Sequence, residues 1–177
     1  MDETVMAEPL ATITRVTGLG MITIRADLSR AGDALAEAAG LSLPECTGIT
    51  TDGSRSLAWM SPDEVLLILP APELPEALTA LEQALTGEHG LIVDVSDARA
   101  VFDVTGPHAA DVIAKLAPVD AGAMPPGHLR RTRMAQTAAA IWRTDQGFRL
   151  AGFRSTADYL GLILQNAALP GTRLAPR

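Results

Sequence analysis

Residues 94–116, DVSDARAVFDVTGPHAADVIAKL, hold a strand and the helix that has to fold back onto it. Ala100-Val101-Phe102-Asp103-Val104 is short and rich in β-branched and aromatic side chains, the composition of a strand. Thr105 and Gly106 offer a helix cap, and Pro107 stands where a first turn tolerates a missing N–H. Ala109, Val112, Ile113 and Leu116 then recur at helical spacing, so a single apolar stripe can cover the strand. No nucleophile, metal ligand or phosphate loop interrupts this junction. The unit is built for packing.

The same order occurs twice. In the first half Met21-Ile22-Thr23-Ile24-Arg25 reads as a strand. Ser29 caps a helix with Ala31, Ala34, Leu35 and Ala38 on one face, stopped by Gly40. Leu57–Met60 and Val65–Leu69 make a hairpin turning through Ser61-Pro62-Asp63-Glu64. Pro72 to Thr86 is the clearest helix, with Leu74, Ala77, Leu78, Leu81, Ala84 and Leu85 inward. Leu91–Val95 is the closing strand. The second half repeats this from Arg99. Its strand and helix lead to a Pro/Gly-rich loop around Met124-Pro125-Pro126-Gly127, then a hairpin of 137–142 with 148–153. A helix capped by Ser155, with Asp158 three residues on, follows. The last strand is missing or reduced to the tail near Arg173-Leu174. Trp59 and Trp142 both fall just before a hairpin turn, which supports duplication. The reading is an α+β chain of tandem ferredoxin-like (split βαβ) repeats: a flexible segment 1–17, lobes 18–97 and 98–168, and a tail 169–177.

A chain of 177 residues that is 47% hydrophobic can bury a substantial core. Cys46 is the single cysteine, so neither a disulfide framework nor a thiolate metal cluster can form within the chain. The acidic start MDETVMAEPL lacks the features of a signal peptide, and no apolar run reaches the ~18 residues of a membrane span. Both point to a cytoplasmic location. The net charge of −7 conceals a split. Residues 1–97 are strongly acidic, whereas 98–177 are mildly basic, with one cluster at Arg130, Arg131 and Arg133. With aromatics at 3%, stacking platforms for nucleic acid are scarce. The cluster and its adjoining loop are read as a surface for a protein partner.

Motifs for catalysis fail one by one. Gly18-Leu19-Gly20 lacks a third glycine and leads into a strand, so it does not cradle a dinucleotide. His89, His108 and His128 are isolated, with no His or Cys at metal-ligand spacing. Cys46 has no positive neighbour in sequence to lower its pKa, and no GxSxG elbow occurs. Asp63 and Glu64 suit turn chemistry. Asp94 and Asp97 are candidate structural contacts, through an ion pair with Arg99 or by capping free N–H groups. Arg154 suits a contact across the lobe interface or to a partner.

WMSPDEVLLILP (59–70), DVSDARAVFDVTG (94–106) and FRSTADYLGLILQNA (153–167) carry a family resemblance. Over most of residues 18–168 the chain resembles the gamma subunit of heterotetrameric sarcosine oxidase. The tandem fold is shared with the folate-dependent aminomethyltransferase of the glycine cleavage system. The resemblance implies a non-catalytic structural subunit of an oxidoreductase that demethylates sarcosine to glycine. Peroxide, with formaldehyde or methylene-tetrahydrofolate, would be its products. It also implies an alpha partner binding NAD and folate, a beta partner carrying FAD and FMN, and a delta partner carrying zinc. No cofactor is implied in this chain, and self-association is expected when it is isolated. The alternative is a stand-alone folate-binding one-carbon transfer protein. Its mark would be a cleft between the lobes lined by a carboxylate and aromatic groups.

Overall fold

Leu66 and Ile68 are as deeply buried as Val65, Leu67 and Leu69 on the opposite face of their strand. A strand buried on both faces needs a layer on each side of its sheet. The structure, a computed structural model, describes residues 8–174. Its elements are β1 (Thr12–Val16), β2 (Leu19–Ala26), α1 (Leu28–Ala39), β3 (Ile49–Asp52), β4 (Arg55–Ser61), β5 (Glu64–Pro70), α2 (Leu74–Ala84) and β6 (Gly90–Asp94). The second repeat adds β7 (Arg99–Thr105), α3 (Ala109–Leu116), β8 (Leu129–Met134), β9 (Thr137–Thr144), β10 (Gly147–Phe153) and α4 (Ala157–Ala167).

Two five-stranded sheets result, in the orders β3-β4-β5-β2-β6 and β8-β9-β10-β7-β1. Each of their strand pairings is antiparallel. Read as repeats, the two orders are identical: a split βαβ unit with one extra strand, β3 or β8, at an edge. This is the expected α+β fold of tandem ferredoxin-like lobes.

One strand departs from the expected order. The place of a fourth strand beside β7 is taken by β1, with Thr12 opposite Thr105 and Val16 opposite Val101. Residues 12–16, expected within a flexible segment 1–17, are therefore part of the second sheet. Residues 1–7 of that segment lie outside the described residues. A division at 97/98 thus misses that the second lobe draws on chain from both sides of the first. β7 would otherwise expose a row of unpaired backbone groups, which the alternating Thr12-Ile13-Thr14-Arg15-Val16 satisfies. The tail near Arg173-Leu174 forms no strand. Lys115 Nζ holds it at Thr172 Oγ1 (2.7 Å), and Arg173 pairs with Asp111 at 3.1 Å. Residues 175–177 lie outside the described residues.

Alternation along the strands sorts the core into three parts. Ile22, Ile24, Leu57, Val65, Leu67 and Leu69 meet α1 and α2 through Leu35, Ala77 and Leu81. Phe102, Val104, Ile141 and Leu150 meet α3 and α4 through Val112, Ile113, Leu160 and Leu164. Between the sheets, Met21, Met60, Leu66 and Ile68 pack on Val101, Leu129, Ala140, Trp142 and Ala151. The layers run helix, sheet, sheet, helix. Backbone bonds join the sheets at one edge, where Ile49 N–H donates to Gly127 O (2.9 Å) and Leu129 N–H to Thr47 O (2.8 Å).

Local details refine the expectations. Asp27, not Ser29, caps α1: its side chain accepts the Ser29 N–H at 3.1 Å. That bond and the one from the Ser29 hydroxyl hold the Asp27 carboxyl below its ordinary pKa. Thr156, not Ser155, precedes α4, after a 3₁₀ turn over Arg154–Thr156. The tryptophans are not equivalent. Trp142 stands opposite Arg149 and faces the other sheet, whereas Trp59 stands opposite Val65 on the helix side. A β-bulge between Trp59 and Ser61 inserts Met60, which takes the position between the sheets.

Candidate functional site between the sheets

Arg130, Arg131 and Arg133 lie on β8, an edge strand. Edge strands carry charge because it discourages unwanted pairing, so an arginine-rich strand reads as irregular in sequence. All three are exposed. Arg131 faces inward along the sheet junction, where Nη1 donates to Met60 O at 2.6 Å. Arg130 and Arg133 have no ion pair among the described residues. The adjoining loop was expected to share this surface. Pro125 and Pro126 are exposed, but Met124 is buried in the core under α3 and α4, and its carbonyl accepts from Arg143 (3.1 Å).

The registers line up two rows across the second sheet on the face toward the first. Arg99 stands opposite Phe153, and Val101 opposite Ala151. Ala151 faces Ala140 on β9, which faces Arg131 on β8. Small alanines flanked by arginines leave a hollow. It is a cleft of about 280 Å³ lined by Met60, Leu66, Ala138, Ala140, Ala151 and Phe153, with Arg99 and Arg131 at its sides. The Arg99 guanidinium lies 4.8 Å from the centre of the Phe153 ring, a cation–π stack. Burial lowers its pKa from the ordinary guanidinium value, Glu64 opposes this through space, and Arg131 adds to it. No carboxylate is among the residues lining this cleft, and Phe153 is its one aromatic. The arrangement therefore lacks the carboxylate-and-aromatic lining expected for a pterin site.

The other expected contacts settle at the lobe junction. Asp97 pairs with Arg154 at 2.8 Å instead of with Arg99, whose side chain turns to the face between the sheets. Arg154 thus reaches the connection between lobes. Both side chains are largely in water, so the pair adds little to stability. Asp94 accepts the Ser96 N–H at 2.9 Å and also the Ser96 hydroxyl. Ser96 Oγ in turn accepts the Met21 N–H at 2.9 Å, tying the connection to β2. Ser96 escaped the sequence reading, although Asp94-Val95-Ser96 is a common side-chain-to-backbone turn. A second missed contact is the two-pronged pair of Arg149 with Asp103, at 2.7 and 2.8 Å across β10 and β7. That bonding raises the Arg149 pKa against the cost of burial.

Cys46 is exposed. Among the described residues no group of three or more His, Cys, Asp or Glu is placed to hold a metal ion, and no helix is long and apolar enough to cross a membrane.

These features define a two-lobed α+β protein of the aminomethyltransferase kind of fold. Its polar groups hold lobes and edges together. The comparisons with known proteins narrow the class. The sequence model of the sarcosine oxidase gamma subunit family matches residues 25–169. Sarcosine oxidase subunit gamma of Corynebacterium sp. strain U-96 is 35% identical over 149 residues, covering 81% of this chain and 71% of that protein. The chain belongs to the sarcosine oxidase gamma subunit family. Among solved structures, heterotetrameric sarcosine oxidase from Corynebacterium sp. U-96, in complex with pyrrole 2-carboxylate, superposes with a TM-score of 0.84 at 29% identity. The match covers 94% of this chain and 88% of that one. Aminomethyltransferase T of the glycine cleavage system from Bartonella henselae shares the fold, with a TM-score of 0.65 at 17% identity. It covers 89% of this chain and 46% of that one.

Proposed function

We propose that this chain is the non-catalytic gamma subunit of a heterotetrameric sarcosine oxidase, a cytoplasmic complex that demethylates sarcosine to glycine. The observation that carries the reading is the correspondence of both lobes, over 94% of the chain, with a chain of such a complex. Its partners are alpha, beta and delta subunits. NAD and folate sites belong to alpha, FAD and FMN to beta, and zinc to delta. Leu91, Val93 and Leu162 are large apolar side chains left in water by the isolated chain, as an assembling subunit requires. Co-expression with the three partners tests the reading. A complex containing this chain, with sarcosine-dependent peroxide formation that falls when the chain is omitted, is expected. Full assembly and turnover of the other three without it would overturn the proposal.

We place part of the partner surface on β8, at the exposed Arg130 and Arg133. Arg130→Glu together with Arg133→Glu is expected to weaken assembly by about tenfold or more, since like charges facing across an interface cost several kcal/mol. The circular dichroism spectrum should not change, because both side chains point into solvent. Normal assembly of the double variant would move the interface elsewhere.

A further inference from the structure

Four cavities hold arginines, and they differ in what surrounds those arginines. The one of about 480 Å³ against α4 contains the exposed Arg15, with the Asp158 carboxylate in the same lining. The largest, about 1090 Å³ beside α1, contains Arg25 and Arg30. Both are paired, with Asp63 at 2.7 Å and Glu88 at 2.9 Å. The cavity of about 530 Å³ near Gly106 contains Arg143, which donates to the Met124 carbonyl. The cleft between the sheets is different. Arg99 has neither ion pair nor side-chain hydrogen bond among the described residues. Glu64 acts on it only through space. Its ring contact with Phe153 leaves the N–H fork without acceptors. Arg131 adds a second positive charge, of which one N–H is used by Met60 O.

We propose that this cleft is a carboxylate-binding site, with Arg99 as the principal ligand and Arg131 as the second cation. Among the described residues no buried side-chain nitrogen or oxygen lacks a partner, so the Arg99 donors face the open side of the cleft, where a charged acceptor can replace water. The planar fork matches the two oxygens of a carboxylate. The apolar alanine walls lower the dielectric beside the two cations, which strengthens the attraction. About 280 Å³ lies just below the ~300–1,000 Å³ of drug-sized pockets, so the occupant has few heavy atoms. Two sources offer that chemistry: a free small carboxylic acid, or an Asp or Glu side chain of a partner subunit reaching past the exposed Phe153.

The test titrates the full chain with sodium propionate against sodium chloride at equal ionic strength. Arginine Nε–H resonances are followed by NMR. A saturable shift at Arg99 with propionate and none with chloride is expected. Arg99→Met should abolish it. Arg131→Met should weaken it about tenfold, the worth of a hydrogen-bonded charge. Equal responses to both salts, or propionate binding to Arg131→Met with undiminished affinity, would overturn the site. The Arg131 variant decides the matter if Arg99→Met does not fold. The same titration on the four-subunit complex then separates the sources. Retained binding identifies a free carboxylate, and loss of binding identifies a partner side chain as the occupant. The isolated-chain arm does not depend on assembly, so failure of the subunit reading leaves its outcome readable.

Discussion

Deleting residues 1–17 is expected to cost the second lobe about 4 kcal/mol or more and to leave the helix-facing core of the first lobe packed. The loss comes from three sources. Leu10 and Ala11 sit in the core under α3 and α4, and burying one leucine alone contributes ~1.5–3 kcal/mol. The pairing of β1 with β7 disappears along its whole length. The bond from Leu10 N–H to Ala168 O, at 2.8 Å, goes with it. Against a total stability of ~5–15 kcal/mol, such a loss is large. Guanidinium titration should show a lower or split transition, and amide exchange should quicken along β7 before β5. An unchanged midpoint would mean that β1 lies on the sheet without stabilising it.

Trp142→Ala is expected to destabilise the protein by ~3–5 kcal/mol, the range for emptying a large aromatic site in a core. Trp142 is 5% exposed and packs where the two sheets meet. Trp59→Ala should cost clearly less, because Trp59 is half-buried on the helix side of β4. The comparison matters more than either value, since the two residues occupy matching places in the repeat. Chemical denaturation of both variants measures it. Equal losses would show that the bulge at Met60 does not separate their environments.

What the sequence made legible follows from how local each signal is. The two split βαβ units rest on short-range patterns: apolar runs for β5 and β7, helical stripes for α1 to α4, and a Pro-Asp turn between β4 and β5. These need no knowledge of distant partners. β1 was missed because its partner, β7, is separated from it by the whole first lobe, and Thr12–Val16 has no turn joining it to that strand. β8 was missed because three arginines in six residues look like a solvated loop. For Asp94 and Asp97, proximity in the chain suggests either a pair with Arg99 or capping of free N–H groups, and Asp94 takes the second role at Ser96. Strand alternation sends Arg99 to the inner face, while Asp97 stays on the exposed 3₁₀ turn before β7. The cleft itself depends on register across four strands, which no single segment encodes.

The exchange of β1 also fixes an order of events during synthesis. The segment that closes the second sheet leaves the ribosome before any strand of that sheet exists. It has no strand to pair with until β7 has been made. The first lobe can complete its own sheet without it, whereas the second cannot finish until the earliest-made strand is retrieved. Closing that long loop is entropically slow compared with forming hairpins. The pairing of β1 with β7 therefore joins segments separated by the whole first lobe, and cutting the connection at 95–98 would not release two complete lobes. A circular permutant that carried residues 8–17 after α4, where Leu10 already bonds Ala168, would make the second lobe contiguous and remove the wait.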